Sequence, residues 1–216
     1  MKRYLLILFL FILTACGMIP LDPEPPLNPN PNLTSVEDTI PVPQETQFLG
    51  ESDLSYQDQL QAHWEPLDAY GRPQGVWAVV SPQTTRKSAG RPDIVVDPPG
   101  FLNQKTDSGW LYNRSHLLAY TLWSDDRTER AENIITGTEY MNQVLMAELE
   151  DAIRAALADG TPVTVRMTPE YQGADLVARA VVMDIVTPTT SQAYRIPNVE
   201  PGWVIDYRTG EAWILE

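Results

Sequence analysis

The chain has 216 residues, a formal net charge of −14 at pH 7, one cysteine and two histidines. One cysteine cannot form an intrachain disulfide, so a folded domain of this chain must be held together by the burial of apolar side chains. The acidic balance argues against a protein that grips many phosphates at once, because non-specific affinity for nucleic acid comes mostly from lysine and arginine.

The first residues have the composition of a secretory signal. Lys2 and Arg3 precede an apolar run over residues 5–13, and small residues then lead into Cys16. The run is short for a membrane-spanning helix, and the whole segment is similar to a bacterial lipoprotein signal. We therefore expect cleavage after residue 15, acylation of Cys16 and a lipid-anchored protein in the bacterial cell envelope, outside the cytoplasm. The alternative is an ordinary cysteine that is removed with the signal.

Prolines dominate the segment that follows. Eight of them lie among Asn, Asp, Glu and Thr between residues 18 and 47. Proline at this density favours extended backbone, which predicts a disordered tether over residues 16–47. At roughly 3 Å per residue, such a tether could reach about 90 Å. The remainder, residues 53–216, has the size of one domain.

The apolar pattern of this domain predicts several strands and one long helix. Residues 139–158 contain no Pro or Gly, and an apolar residue recurs every four positions from Leu145 to Leu157. This periodicity predicts an amphipathic helix that ends at Asp159-Gly160. β-Branched and apolar runs predict strands at residues 75–80, 94–96, 110–112, 163–167, 176–185, 203–207 and 213–215. Strands on both sides of one helix favour an α+β fold, with the helix packed on a mainly antiparallel sheet.

The positive charges are unevenly distributed along the chain. Between residues 86 and 114 there are five basic residues and only three aspartates. The basic residues are Arg86, Lys87, Arg91, Lys105 and Arg114. A locally positive field can attract a polyanion even when the net charge is negative. We expect modest, salt-sensitive affinity for nucleic acid.

Of the two histidines, His116 is the stronger candidate for a chemical role. It ends the run Asn113-Arg114-Ser115-His116, where polar side chains interrupt an apolar passage, whereas His63 is expected to be structural. Histidine has an ordinary pKa of about 6.5 and is therefore a common general base. A lone histidine is more often structural, so the neighbouring motifs decide the interpretation.

Three motifs follow one another along the chain. They are Asn113-Arg114-Ser115-His116-Leu117-Leu118, Glu132-Asn133-Ile134-Ile135-Thr136-Gly137-Thr138 and Tyr140-Met141-Asn142, with Glu150 further on. The set resembles the DNA/RNA non-specific endonucleases, and most closely the secreted streptococcal-type DNases. Many members of that family have Asp and Gly where this chain has Asn113 and Ser115. The difference bears on sugar preference and rate rather than on the identity of the base.

The resemblance implies a ββα-metal core. In that core a histidine ends one strand, a second strand follows, and a metal-binding asparagine lies on the next helix. His116 would then be the general base and Asn142 the metal ligand. Asn133 would have a supporting role, orienting the base or the substrate, and Glu150 could bind a water of the metal. Arg114 is expected on the strand face opposite His116, where it could pair with carboxylates or approach a phosphate.

These residue types suit phosphodiester hydrolysis. The anionic phosphate repels hydroxide, so an enzyme needs a base to generate the nucleophile and a cation to neutralise the developing charge. Mg²⁺ keeps several waters and needs few protein ligands, which fits the amide oxygen of Asn142, and Mn²⁺ is a second candidate ion. The expected substrate is DNA, with RNA open, and the products would carry 5′-phosphates. No obligate protein partner is expected.

Several alternatives remain open at the level of sequence. A catalytically silent nucleic-acid-binding lipoprotein of the same fold would account for the acidic balance, although every residue that the chemistry needs is present. A toxin nuclease would need release from the cell, which a lipid anchor opposes, whereas DNA uptake or scavenging would use the same active site. Each of three site residues also has a structural explanation: a turn for Asn133, a helix cap for Asn142 and a solvated helix position for Glu150.

Overall fold

The computed structural model describes residues 43–85, 93–107 and 109–215. These residues belong to one compact unit, Pro41–Glu216. The predicted signal sequence, Cys16 and nearly all of the predicted tether lie outside them.

Ten strands and one α-helix are found in the described residues. The strands are β1 (Gln47–Gly50), β2 (Gln61–Trp64), β3 (Val76–Val80), β4 (Tyr112–His116), β5 (Ile134–Thr138), β6 (Val163–Glu170), β7 (Ala180–Val186), β8 (Ser191–Pro197), β9 (Trp203–Ile205) and β10 (Ala212–Ile214), and helix α1 spans Met146–Ala156. Six strands form one antiparallel sheet in the order β1-β8-β7-β6-β3-β2, and the other four form two hairpins, β4–β5 and β9–β10. The predicted α+β class with a mainly antiparallel sheet is confirmed.

One face of the six-stranded sheet carries the core. In β6 the side chains of Val163, Val165 and Met167 alternate inward, which is the period of two that a half-covered sheet requires. The apolar stripe of α1 packs against this face, with Met146 and Ile153 fully buried in the same cluster. The helix therefore covers the sheet as predicted, because its four-residue repeat presents one continuous apolar face.

The helix is less regular than its sequence indicates. Its first turn, Met141–Leu145, is a π-helical turn in which the Met146 N–H bonds to the Met141 carbonyl. At the other end the chain leaves through Gly160 in the left-handed conformation, as the Asp159-Gly160 pair predicts. Within the described residues, no helix has both the length and the apolar character needed to cross a bilayer.

Several strand predictions need correction. Residues 94–96 form no strand, and Val95 is 85% exposed, because this segment runs over the surface without a sheet partner. The predicted strand at 176–185 begins only at Ala180, since the N–H groups of Leu176 and Val177 both bond to the Tyr207 carbonyl. Three sheet strands, β1, β2 and β8, were not predicted. β1 lies before residue 53, where the domain is expected to begin, and pairs with β8 at the edge of the sheet.

Candidate active site

The β4–β5 hairpin positions the first two motifs side by side. Its antiparallel register is regular and pairs His116 with Ile134, so Asn133 lies just outside the hairpin beside the end of β4. The Leu117 N–H bonds to the Asn133 carbonyl at 2.8 Å, which extends the pairing by one residue. The third motif follows directly, because only Glu139 and Tyr140 separate β5 from the π-helical turn. The order of elements is therefore strand, strand, helix, as the resemblance implies.

The two strands of this hairpin approach each other unusually closely at Gly137. A Cβ atom at this position would overlap the Ser115 hydroxyl and lie 2.8 Å from the Ser115 Cβ, with the Met141 side chain also in the way. Ser115 is fully buried, and its hydroxyl makes no hydrogen bond within the described residues. A glycine in β5 thus makes room for the serine that stands where many family members have glycine.

His116 is buried and held by a carboxylate. The side chains of His116 and Glu129 are 9% and 10% exposed, and His116 Nε2 lies 3.1 Å from Glu129 Oε1. Glu129 ends a short 3₁₀ turn, Asp126–Glu129, in the loop between β4 and β5. Burial in a region of low dielectric strengthens such a contact and fixes the orientation of the imidazole ring. Glu129 was not among the predicted site residues.

Asn133 holds that loop in shape through four hydrogen bonds. Its Oδ1 accepts from the Leu118 N–H at 2.9 Å and from Trp64 Nε1 at 3.1 Å. Its Nδ2 donates to the carbonyls of Leu118 at 2.9 Å and Thr128 at 2.8 Å. The side chain is fully buried, and these four bonds use the amide's full capacity. Of the two predicted supporting roles, this geometry favours orienting the base over contacting the substrate.

Arg114 lies on the same strand face as His116, because residues two apart in a regular strand point the same way. The expectation that it occupies the opposite face was wrong. Its Nε donates to Asp97 Oδ1 at 2.9 Å, and its guanidinium lies 4.7 Å from the centre of the Phe101 ring. The predicted pairing with a carboxylate is therefore present. The Arg114 side chain remains 37% exposed, so it can also approach a ligand.

Asn142 and Glu150 occupy the helix that follows. Asn142 lies in the π-helical turn and is half-buried. Its side-chain amide makes no hydrogen bond to another described residue. Single π-turns occur frequently at functional sites, and this one rotates Asn142 relative to where a continuous α-helix would place it. Glu150 lies in α1, 19% exposed, with Oε2 3.5 Å from Nη1 of Arg154.

The donor set near the helix suits a hard cation. No three His, Cys, Asp or Glu side chains of the described residues converge as a metal cluster would require. Structural zinc needs four such ligands, whereas Mg²⁺ keeps most of its waters and accepts one or two protein oxygens. An unengaged amide oxygen on Asn142 fits the second description.

The predicted basic stretch contributes less to the site than expected. Arg86, Lys87 and Arg91 lie outside the described residues. Lys105 stacks on the ring of Trp110 at 3.9 Å, and Arg114 is paired with Asp97. The loop between β4 and β5 carries the half-buried Arg127 and the exposed Arg130, which the sequence did not single out. His63, expected to be structural, is 56% exposed and lies 3.5 Å from Glu65 Oε1.

Comparison with known proteins agrees with this geometry. A family model described as DNA/RNA non-specific endonuclease matches residues 53–187. The fold is similar to NucA from Streptococcus agalactiae with a magnesium ion bound, with a TM-score of 0.69 and 22% identity over 76% of this chain and 83% of NucA. It is also similar to the Sda1 nuclease with a bound zinc ion, with a TM-score of 0.62 and 19% identity over 84% of this chain and 99% of Sda1. An extracellular endonuclease matches with a TM-score of 0.56 and 14% identity over 80% of this chain and 99% of its own.

Proposed function

Because the chain belongs to the DNA/RNA non-specific endonuclease family, we propose that it is a magnesium-dependent endonuclease with His116 as its general base. It would hydrolyse phosphodiester bonds of DNA, as a sugar-nonspecific or DNA-preferring enzyme, and leave 5′-phosphate ends. The observation that carries the proposal is the buried contact between His116 and Glu129 at the end of β4. A carboxylate beside a histidine in a family of nucleases is the arrangement that a general base needs.

In this proposal the two ring nitrogens of His116 have different roles, because one of them is hydrogen-bonded to Glu129. With the ring proton on Nε2 and donated to the carboxylate, the basic lone pair is on Nδ1. Nδ1 then takes a proton from the attacking water, and the imidazolium that forms is stabilised by the negative charge of Glu129. Asn133 acts as a positioning residue, because its bonds to Leu118 and Thr128 fix the chain on both sides of this pair.

Asn142 would hold the cation through its amide oxygen, and Glu150 would accept a hydrogen bond from one of the waters around it. When bound, Mg²⁺ neutralises charge on the phosphate and on the leaving 3′ oxygen, and Mn²⁺ can do the same. Arg114 shares a strand face with His116 and would contact a substrate phosphate by exchanging part of its pairing with Asp97. These roles rest on residue type and position.

We also propose that the enzyme acts outside the cytoplasm, anchored through lipid on Cys16. Support comes from the signal-like residues 1–15 and from the similarity of the fold to an extracellular endonuclease. A labelled fatty acid should be incorporated into the protein, and Cys16→Ser should abolish incorporation. Label in the serine variant would contradict the proposal.

The nuclease proposal is tested by plasmid nicking and RNA degradation. Purified protein should nick plasmid in Mg²⁺ and lose activity in EDTA, and both His116→Ala and Asn142→Ala should lose most of the activity. General base catalysis contributes about 10²- to 10⁴-fold, so the residual activity of His116→Ala should fall in that range below wild type. Intact substrate with every metal tried would favour the catalytically silent binding protein.

A further inference from the structure

A surface cavity of about 330 Å³ adjoins the loop that carries Glu129. Its volume is at the lower end of the range of roughly 300–1,000 Å³ that is typical of small-ligand sites. The lining residues that matter for its chemistry are Trp64, Arg127, Arg130 and Glu132. The cavity thus combines an indole ring, two arginines and one carboxylate. Trp64 also donates a hydrogen bond to Asn133, whereas the other three residues have no part in the site described above.

The two arginines differ in how they are held. The Arg127 guanidinium lies 4.6 Å from the centre of the Trp64 ring, and its Nη2 donates to Asp125 Oδ2 at 2.9 Å. The hydrogen bond from Arg127 lowers the pKa of Asp125, so the carboxylate is ionised. Its negative charge compensates the positive charge of Arg127. Arg130 is exposed, and within residues 43–85, 93–107 and 109–215 it forms no ion pair. Arg130 is therefore the cation available to a ligand.

The cavity is connected directly to the His116 loop. Asn133 Oδ1 accepts from Trp64 Nε1 and also from the N–H of Leu118, two residues after His116. Glu129, which contacts His116, lies between Arg127 and Arg130 in sequence. A ligand seated against Trp64 and Arg130 would consequently be held in a fixed relation to His116.

We propose that this cavity is a subsite for one unpaired nucleotide of the substrate strand, adjacent to the bond that is cut. Arg130 binds the phosphate, Trp64 contacts the base, and Glu132 accepts a hydrogen bond from a base amino group. A cavity of this size holds a base only when the base is out of the duplex stack. The inference rests on the proposed nuclease function and adds a preference for single-stranded or locally opened nucleic acid.

The subsite is tested first without catalysis. In EDTA, the Trp64 indole N–H signal of ¹⁵N-labelled protein is followed by NMR while deoxycytidine 5′-monophosphate, deoxycytidine or inorganic phosphate is added. The nucleotide should shift this signal and bind more tightly than either part alone, and Arg130→Gln should weaken it about tenfold. Arg208→Gln, which removes an exposed arginine elsewhere, is the matched control and should bind as wild type does. Equal binding by Arg130→Gln and wild type, or no shift at Trp64, would overturn the subsite.

A second experiment tests the subsite by the kinetics of cleavage. Arg130→Gln should raise KM for a single-stranded oligonucleotide with little change in kcat, and should reduce the slope of log affinity against log salt by about one. The effect on KM should be larger for single strands than for duplex. If the wild-type protein cleaves nothing, the nuclease proposal fails while the nucleotide titration still decides the subsite. If it cleaves and Arg130→Gln has wild-type KM on both substrates, the subsite alone is wrong.

Discussion

Glu129 Oε1 lies 3.1 Å from Nε2 of His116, and both side chains are about nine-tenths buried. Under the proposed mechanism, a carboxylate in that position stabilises the imidazolium that forms when the attacking water loses its proton. The contact also restricts the orientation of the ring, so the proposed base would be in place before substrate binds.

Replacing Glu129 with Gln should therefore reduce kcat while leaving the fold intact. The side-chain amide of glutamine has the same shape, and its oxygen can still accept a hydrogen bond from the Nε2–H. It carries no charge, however, with which to stabilise an imidazolium. Loss of a partner that orients a catalytic group typically costs about 10- to 100-fold. Steady-state kinetics on plasmid DNA would measure the change, with the exposed Glu148→Gln as control. A Glu129→Gln enzyme as fast as wild type would show that the carboxylate has no part in the reaction.

Substitution by alanine should affect stability differently at the two site asparagines. Asn133→Ala removes four buried hydrogen bonds and should lower the free energy of unfolding by about 2–4 kcal/mol. The variant should also lose nuclease activity. Asn142→Ala removes none within the described residues and should change stability by less than about 1 kcal/mol while abolishing metal-dependent cleavage. Urea unfolding and nicking assays on both variants separate the roles. Comparable destabilisation by the two substitutions would mean that Asn142 is structural.

Gly137→Ala should destabilise the β4–β5 hairpin, because the added methyl group overlaps the buried Ser115 side chain. Overpacking of this kind costs about 1–3 kcal/mol. In a Ser115→Gly background the cost should fall, since the side chain that is overlapped is gone and only the flexible end of Met141 remains close. A double-mutant cycle from urea unfolding measures this coupling. Additive effects of the two substitutions would contradict the close approach of the strands.

The parts of the fold that were predicted correctly are those with a local signal. The repeat from Leu145 to Leu157 indicates the helix without any tertiary information, and Asp159-Gly160 marks its end. The π-helical turn at Asn142 could not be predicted, because a single i→i+5 bond adapts to packing against neighbouring strands. β1 and β2 were missed since each is a four-residue edge strand whose apolar residues do not alternate over enough length.

The residues proposed for the site divide into those that a sequence motif indicates and those that only the folded structure brings in. His116, Asn133 and Asn142 belong to short ordered motifs, so the resemblance was enough to select them. Glu129 and Trp64 carry no motif and are joined to the site only by folding of the β4–β5 loop and by a hydrogen bond between residues 64 and 133. Strand alternation places Arg114 on the same face as His116, because the two residues lie two apart in β4.

Stability should depend on pH through Glu200, whose carboxylate accepts the Tyr140 N–H at the start of the helix. Burial raises the pKa of Glu200, with the bond from Tyr140 opposing and the charge of Glu139 adding to the rise. A raised folded-state pKa favours folding below the ordinary value of about 4.3, and this contribution is lost as the pH rises through the folded-state pKa.

Glu200→Gln cannot ionise and still offers an oxygen to Tyr140. It should match wild type at low pH and become the more stable of the two as the pH rises toward neutrality. Thermal unfolding at several pH values measures the difference, and the exposed Glu211→Gln serves as control. A difference that is constant with pH would mean that Glu200 does not titrate in this range.

The role of His116 as the base can be tested by chemical rescue. His116→Gly removes the side chain and leaves space for a small molecule beside Glu129. We predict that this variant is inactive on plasmid DNA in Mg²⁺, and that added imidazole restores nicking in proportion to the concentration of its neutral form. An inactive His116→Gly that imidazole cannot rescue would leave the base assignment unsupported, and a His116→Gly that nicks DNA at the wild-type rate would contradict it.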